Sequence, residues 1–298
     1  MVLKNEIIDK FLGSMIGLAV GDALGAPVEF KDKGTFPYIS DMIAGGAFQL
    51  NKGEWTDDTS MALCLLDSLI SVGFDLNDQA DRYIKWYKQG YFSVKGYCFD
   101  IGCNTRKSLE NYIKTGNIVS PFVDSCGNGA IMRLAPITLY TAFMKDVDIV
   151  KYSGETSKVT HNSLLSIEAC RFMSLLISRL INGYNKNEAL NSIDTEFKTE
   201  IKDFLSLEYI VNKDTLNNSG YVVDSLKLAL WGFYTTNNFK DGLLKVVNWG
   251  GDSDTNGAIY GQIAGAYYGL DGIPDNWKKV LYKKDMIKVM ILKLIEKM

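Results

Sequence analysis

The stretch Gly250–Gly257 reads GGDSDTNG, and from Asp252 it has the D-x-D-x-N-G spacing that opens a calcium-binding loop. Such a loop needs a bidentate glutamate at its twelfth position. Here that position is Ile263, so any ion held by Asp252 and Asp254 must find further ligands elsewhere in the chain. A matching set occurs at Thr56-Asp57-Asp58, which like Asp252-Ser253-Asp254-Thr255 pairs two carboxylates with a threonine hydroxyl. Either stretch alone reads as a helix start, with an N-cap and acids that complement the helix dipole. If the two starts converge, four carboxylates and two hydroxyls share one volume. Without cations those carboxylates repel and raise one another's pKa. Hard divalent cations relieve the repulsion, and an all-oxygen set selects Mg²⁺, Mn²⁺ or Ca²⁺ over zinc. The ligand number suits two ions about 3.5–4 Å apart.

Three further stretches carry chemical groups. Gly21–Phe30, GDALGAPVEF, ends a helix and delivers Glu29. Ser125-Cys126-Gly127-Asn128-Gly129 leads into an expected helix over 130–140, whose N-terminus would offer N–H groups to an anion, although no P-loop lysine is present. Thr160-His161 places the only histidine at a helix start, where a neutral hydrogen-bonding role is expected.

The elements that must position these groups are helical. Apolar residues recur at three- and four-residue spacing over 57–72, 104–113, 130–143, 161–181, 221–235 and 285–295. The stretch 91–100 reads as a short strand or extended loop, and 212–220 as a loop. Glycines recur every fourth residue at 13, 17, 21 and 25, and again at 257, 261, 265 and 269. Glycine inside a helix costs about 1 kcal/mol against alanine, so two such stripes predict central helices in close backbone contact. The segment 278–298 reads as an amphipathic, solvated outer helix. The fold class is all-α, one compact multi-helix domain over 1–298, because motifs near 57 and 253 that share a site require one folded unit.

Bulk properties narrow the function. The net charge of −3 offers no general attraction to nucleic acid. Five cysteines without a C-x-x-C pair, and a single histidine, leave neither a disulfide framework nor the makings of a zinc site. The apolar N-terminus carries Glu6 and Asp9 where a signal peptide is basic, and no apolar run is expected to reach the ~18 residues of a membrane span. A monomeric cytoplasmic protein is expected.

Taken together the motifs resemble the ADP-ribosylglycohydrolase family: GLAVGDALGAPVEF (17–30), WTDDTSMAL (55–63), FDIGCNTR (99–106), GNGAIMRLAPI (127–137), TH (160–161) and GGDSDTNGAIYGQIAGAYYG (250–269). The resemblance implies an all-helical fold with a dinuclear Mg²⁺ or Mn²⁺ cleft. Its metal ligands would be Thr56, Asp57, Asp58, Asp252, Asp254 and Thr255. Glu29 would act in catalysis. Asp100 would lie near the distal ribose, as in the branch that reactivates dinitrogenase reductase, and competes with Glu29 for the role of general base. Gly127, Asn128, Gly129 and His161 would line the ADP-ribose cleft. The implied substrate is an ADP-ribosylated protein or a small ADP-ribose conjugate, with FDIGCNTR leaning toward arginine linkage. Serine-linked, O-acetyl and polymeric ADP-ribose stay open, as does a non-catalytic binding role.

Overall fold

The computed structural model describes residues 4–298, and no strand occurs among them; two isolated bridges, Gly45–Leu50 and Gly127–Tyr221, are the only sheet-like pairings. The helices are α1 (Asn5–Gly25), α2 (Asp57–Val72), α3 (Leu76–Gln89), α4 (Cys103–Thr115), α5 (Ala135–Thr141), α6 (Asp146–Lys158), α7 (Leu164–Ile181), α8 (Lys186–Asn191), α9 (Leu207–Val211), α10 (Val222–Tyr234), α11 (Phe239–Val247), α12 (Ser253–Tyr268), α13 (Asp275–Val280) and α14 (Lys284–Lys297).

Glycine sets the centre. α1 and α12 run antiparallel with Gly13 against Gly265, Gly17 against Gly261 and Gly21 against Gly257. At each of these six positions a Cβ would overlap a backbone carbonyl of the partner helix. Every residue from Gly13 to Gly25 and from Ser253 to Ala266 is buried. Around this pair, α2, α5 and α14 pack on α1, while α7, α10 and α11 pack on α12. Ser14 Oγ donates to the Gln262 carbonyl (3.0 Å), and Gln262 Nε2 donates to that of Met132 (2.7 Å), tying the 128–134 segment to the core.

Several expectations are corrected. Gly269 lies just past the end of α12 at φ 72°, where its backbone meets Gly13 and its own Cα faces the Asp9 carboxylate in place of a glycine. The run Asn5–Val28 does have the length and apolarity of a membrane span, but nearly all of it is buried inside the protein. The helix expected over 130–143 begins only at Ala135, with Pro136 in its first turn; residues 128–134 form successive tight turns. Residues 91–100 form a turn-rich loop, not a strand. The amphipathic outer helix expected over 278–298 is present but begins only at Lys284, residues 278–280 belonging to α13; it buries Ile287, Met290, Ile291 and Leu294 and leaves Val289 and Leu292 at the surface.

Candidate metal centre and active-site cleft

The glycine pairing brings the end of α1 to the start of α12. Ser253 Oγ donates to the Gly25 carbonyl at 2.9 Å, and beyond Gly25 a single 3-10 turn, Ala26–Val28, leads to Glu29. Phe30 N–H then donates to the Gly251 carbonyl, and Gly251 N–H to that of Lys31, both at 2.8 Å. Phe30, Gly250 and Gly251 all hold positive φ to make this tight exchange. Glu29 is thereby clamped beside Asp252–Thr255.

The start of α2 reaches the same place through a residue whose role the motifs did not disclose, Asp22. One of its carboxylate oxygens accepts from Thr56 N–H and Thr56 Oγ1, each at 2.9 Å. The other accepts from Thr59 N–H at 3.0 Å and Thr59 Oγ1 at 2.6 Å. Thr56 occupies the N-cap position of α2, yet its hydroxyl does not cap the helix. It faces Asp22 Oδ1, Asp58 Oδ2 and Asp254 Oδ2 within 3.1 Å. A hydroxyl has one proton for these three acceptors. Asp252, at the N-cap of α12, likewise makes no side-chain cap bond. Helix capping therefore does not account for either acidic stretch.

The two helix starts form two groups of three carboxylates that share Asp254. Asp22, Asp58 and Asp254 make one; Glu29, Asp100 and Asp254 make the other, with ligand atoms of each group within 4.8 Å of one another. Asp57 and Asp252 line the same cleft without joining either group, and Thr255 Oγ1 lies 3.4 Å from Asp58 Oδ2. Two bare carboxylates about 4 Å apart repel by roughly 4 kcal/mol at an effective dielectric of 20, comparable to the net stability of a small domain. Burial, reinforced by mutual repulsion, raises the pKa values of Asp57, Asp58 and Asp254 well above the usual range. Glu29 is pushed to about 10 by burial and then by Asp100, and Asp100 to about 7 by burial and then by Asp22 and Asp252. Asp22 rises only to about 6, because its four hydrogen bonds offset the burial.

Four buried carboxylate oxygens have no hydrogen-bond partner among the described residues: Glu29 Oε2, Asp58 Oδ1, Asp100 Oδ2 and Asp254 Oδ1. Buried polar atoms are nearly always satisfied, and several orphaned oxygens converging at one point fit a hard divalent cation. Asp22 has no such free oxygen, and so orients Thr56 and the first turn of α2.

Above the carboxylates opens a cleft of about 730 Å³, within the range of small-molecule sites. Glu29, Asp57, Asp100, Asp252 and Asp254 line it, together with Gly127, Asn128, Gly129 and His161. Further lining, Asn218-Ser219-Gly220, comes from the loop at 212–220, which the sequence marked only as a connection. Its Asn218 carbonyl accepts from Asp252 N–H (2.9 Å) and so fixes the start of α12. Asp100 sits at φ 60° in a loop before α4, a strained conformation for a residue other than glycine.

Around the glycine turn the geometry differs from a helix-dipole anion site. Asn128 uses both amide protons within the protein, donating to Ser225 Oγ (2.8 Å) and Asp252 Oδ2 (2.7 Å), and its N–H donates to the Gly220 carbonyl. Gly127 and Gly129 have a steric reason to be glycine. A Cβ at either would lie 3.3 or 3.1 Å from His161 Nε2, whose ring packs over the turn. His161 is buried between α6 and α7. Burial and the nearby Arg133 guanidinium lower its pKa to about 3, so the imidazole is neutral.

Comparison with known proteins agrees with this architecture. The model of a family described as ADP-ribosylglycohydrolase matches residues 3–298. The chain is 37% identical over 291 residues to the ADP-ribosylarginine hydrolase Tri1 of Serratia proteamaculans, covering 96% of this chain and 79% of that protein. It is 35% identical over 287 residues to the ADP-ribosyl-[dinitrogen reductase] glycohydrolase of Rhodospirillum rubrum, covering 94% and 92% of the two. A solved structure described as an ADP-ribosylglycohydrolase-related protein complex superposes with a TM-score of 0.84 at 37% identity, over 98% of this chain and 99% of that one. From its glycine-paired central helices to its carboxylate-lined cleft, the chain belongs to the ADP-ribosylglycohydrolase family.

Proposed function

We propose that this protein hydrolyses the bond between ADP-ribose and an arginine side chain of a modified protein, releasing ADP-ribose with the help of two divalent cations, Mg²⁺ or Mn²⁺. The observation that carries the reading is the pair of carboxylate groups sharing Asp254, with four orphaned oxygens, at the side of a nucleotide-sized cleft. Thr56, Asp57, Asp58, Asp252, Asp254 and Thr255 would hold the cations. When bound, such ions supply positive charge that polarises water and anchors hydroxyl groups. Glu29 or Asp100 takes a proton from the attacking water as its oxygen bonds to the anomeric carbon and the C–N bond breaks. That proton then passes to the departing guanidine. Gly127, Gly129 and His161 hold the ADP-ribosyl portion, and Asn128 supports this wall through Asp252.

Phe30, which lines the cleft and is backed by two further aromatic rings, favours arginine as the acceptor. Phe30, 67% exposed, directly follows Glu29; its ring meets Phe48 (6.3 Å), which meets Phe99 (5.2 Å), the residue before Asp100. A guanidinium stacks on aromatic faces and is attracted to the flanking carboxylates, whereas a serine linkage presents neither a flat face nor a charge. The name of the Serratia relative, an ADP-ribosylarginine hydrolase, supports the same linkage, and that of the Rhodospirillum relative supports a modified protein as substrate. The test is a panel of arginine-linked, serine-linked and O-acetyl ADP-ribose, each with Mg²⁺, Mn²⁺ or EDTA. Intact ADP-ribose should appear from the arginine-linked substrate with either metal and vanish with EDTA. No release from any substrate overturns the enzyme reading; release of AMP would reassign the cleavage to the diphosphate.

A further inference from the structure

Arg133 is buried in the turn segment before α5 and has no salt-bridge partner among the described residues. Its Nε donates to Tyr83 Oη (3.1 Å), Nη1 to the Gly129 carbonyl (2.7 Å) and Nη2 to Thr160 Oγ1 (2.7 Å). Thr160 Oγ1 in turn lies 2.8 Å from His161 Nδ1. A guanidinium only donates, so the direction of the Arg133–Thr160 bond is fixed. The threonine proton then has one acceptor within reach, Nδ1 of His161. Were Nδ1 protonated instead, the hydroxyl would accept twice and its own proton would be buried without a partner. The chain of donors from Arg133 through Thr160 therefore leaves the imidazole proton on Nε2.

Backbone bonds hold the ring in place. Ser157 Oγ donates to the His161 carbonyl (2.8 Å), and the Thr160 carbonyl accepts from Asn104 Nδ2 (2.8 Å) and Ser108 Oγ (3.0 Å) on α4. Among the described residues the only ring hydrogen bond is at Nδ1, and Nε2 lies over Gly127 and Gly129 at the cleft wall. We propose that Arg133 and Thr160, neither of which lines the cleft, are positioning residues that set His161 as an Nε2–H donor to an oxygen of the ADP-ribosyl group. The identity of that ligand rests on the function proposed above; the tautomer does not.

The chain has one histidine, so ring-¹⁵N-labelled histidine gives a single pair of ring signals. The wild-type protein and Thr160→Ser should show the neutral Nε2–H tautomer with or without ligand. Thr160→Val, which removes the donor at nearly constant volume, should lose that preference. With ADP-ribosyl-arginine and Mg²⁺ it should raise KM on the order of ten-fold while kcat changes by less than about two-fold, as for one lost binding hydrogen bond. Thr160→Ser should restore both readouts. An Nδ1–H tautomer in the wild type overturns the relay, as does an unchanged tautomer in Thr160→Val. A shifted tautomer with unchanged KM overturns the ligand contact. If ADP-ribosyl-arginine is not turned over, the proposed activity fails, while the NMR signals still decide the relay.

Discussion

Asp22 accepts four hydrogen bonds from Thr56 and Thr59, more than any other carboxylate at the site, and through them sets where α2 begins. Asn in its place has one acceptor oxygen, and its NH₂ would face one pair of donors. A buried unsatisfied N–H costs about 1–3 kcal/mol, enough to rotate the Thr56–Asp58 turn away from Asp254. Asp22→Asn should therefore weaken Mn²⁺ binding by about 10–100-fold, the usual effect of losing an outer partner of metal ligands, with the far-ultraviolet spectrum unchanged. Calorimetric titration with MnCl₂ checks this; a wild-type affinity would show that Asp22 only stabilises the fold. At this scale the sequence was partly legible. Paired acids beside threonines at 56–58 and 252–255 pointed to a shared oxygen cluster because residue type and spacing state their own chemistry. A lone carboxylate inside an apolar helix does not, since burial and partners come only with the fold. The same blindness hid Arg133, whose buried guanidinium reads in sequence as any surface arginine.

Between elements, the glycine stripes were legible because period and helix geometry coincide, and the structure pairs them carbonyl to Cα. Gly261→Ala tests how tight that pairing is. Alanine favours an isolated helix by about 1 kcal/mol, but here its Cβ would enter the carbonyl of Gly17, which belongs to the backbone of a fully buried helix and cannot rotate aside. Overpacking of this kind costs about 1–3 kcal/mol, so the substitution should lower the urea midpoint despite the better helix propensity. An unchanged or higher midpoint would mean that the α1–α12 contact yields easily. Where the elements were misread, the cause is also local. The apolar spacing through Ile131 and Leu134 continues that of α5, but Pro136 marks the true first turn, since proline lacks the N–H that a helix interior needs. Residues 128–134 instead fold into turns whose carbonyls, those of Gly129 and Met132, hold Arg133 and Gln262.

Across the whole molecule a formal net charge of −3 conceals a strong local imbalance: Asp22, Glu29, Asp57, Asp58, Asp100, Asp252 and Asp254 gather at one centre from five separate stretches of chain. Net charge could not reveal this, while the ordered motifs pointed to all of these acids except Asp22, because each motif carries its own share of them. The imbalance links stability to pH and to cations. In the unfolded chain these carboxyls titrate near 4. In the cation-free fold burial raises Asp22 to about 6, and burial with mutual repulsion raises Asp100 to about 7 and Glu29 to about 10. Above pH 4 the folded state therefore holds more protons than the unfolded state, and stability falls as pH rises through these values. Divalent cations bind the deprotonated carboxylates and displace those protons, so their affinity grows over the same window. Melting followed by circular dichroism should show the EDTA-treated protein losing Tm steadily from about pH 5 to about pH 8, with 5 mM MgCl₂ or MnCl₂ restoring more of it at each step. A cation-free Tm that is flat or rises across this range, or a metal-induced gap that does not widen, would show that protons and cations do not compete for this cluster.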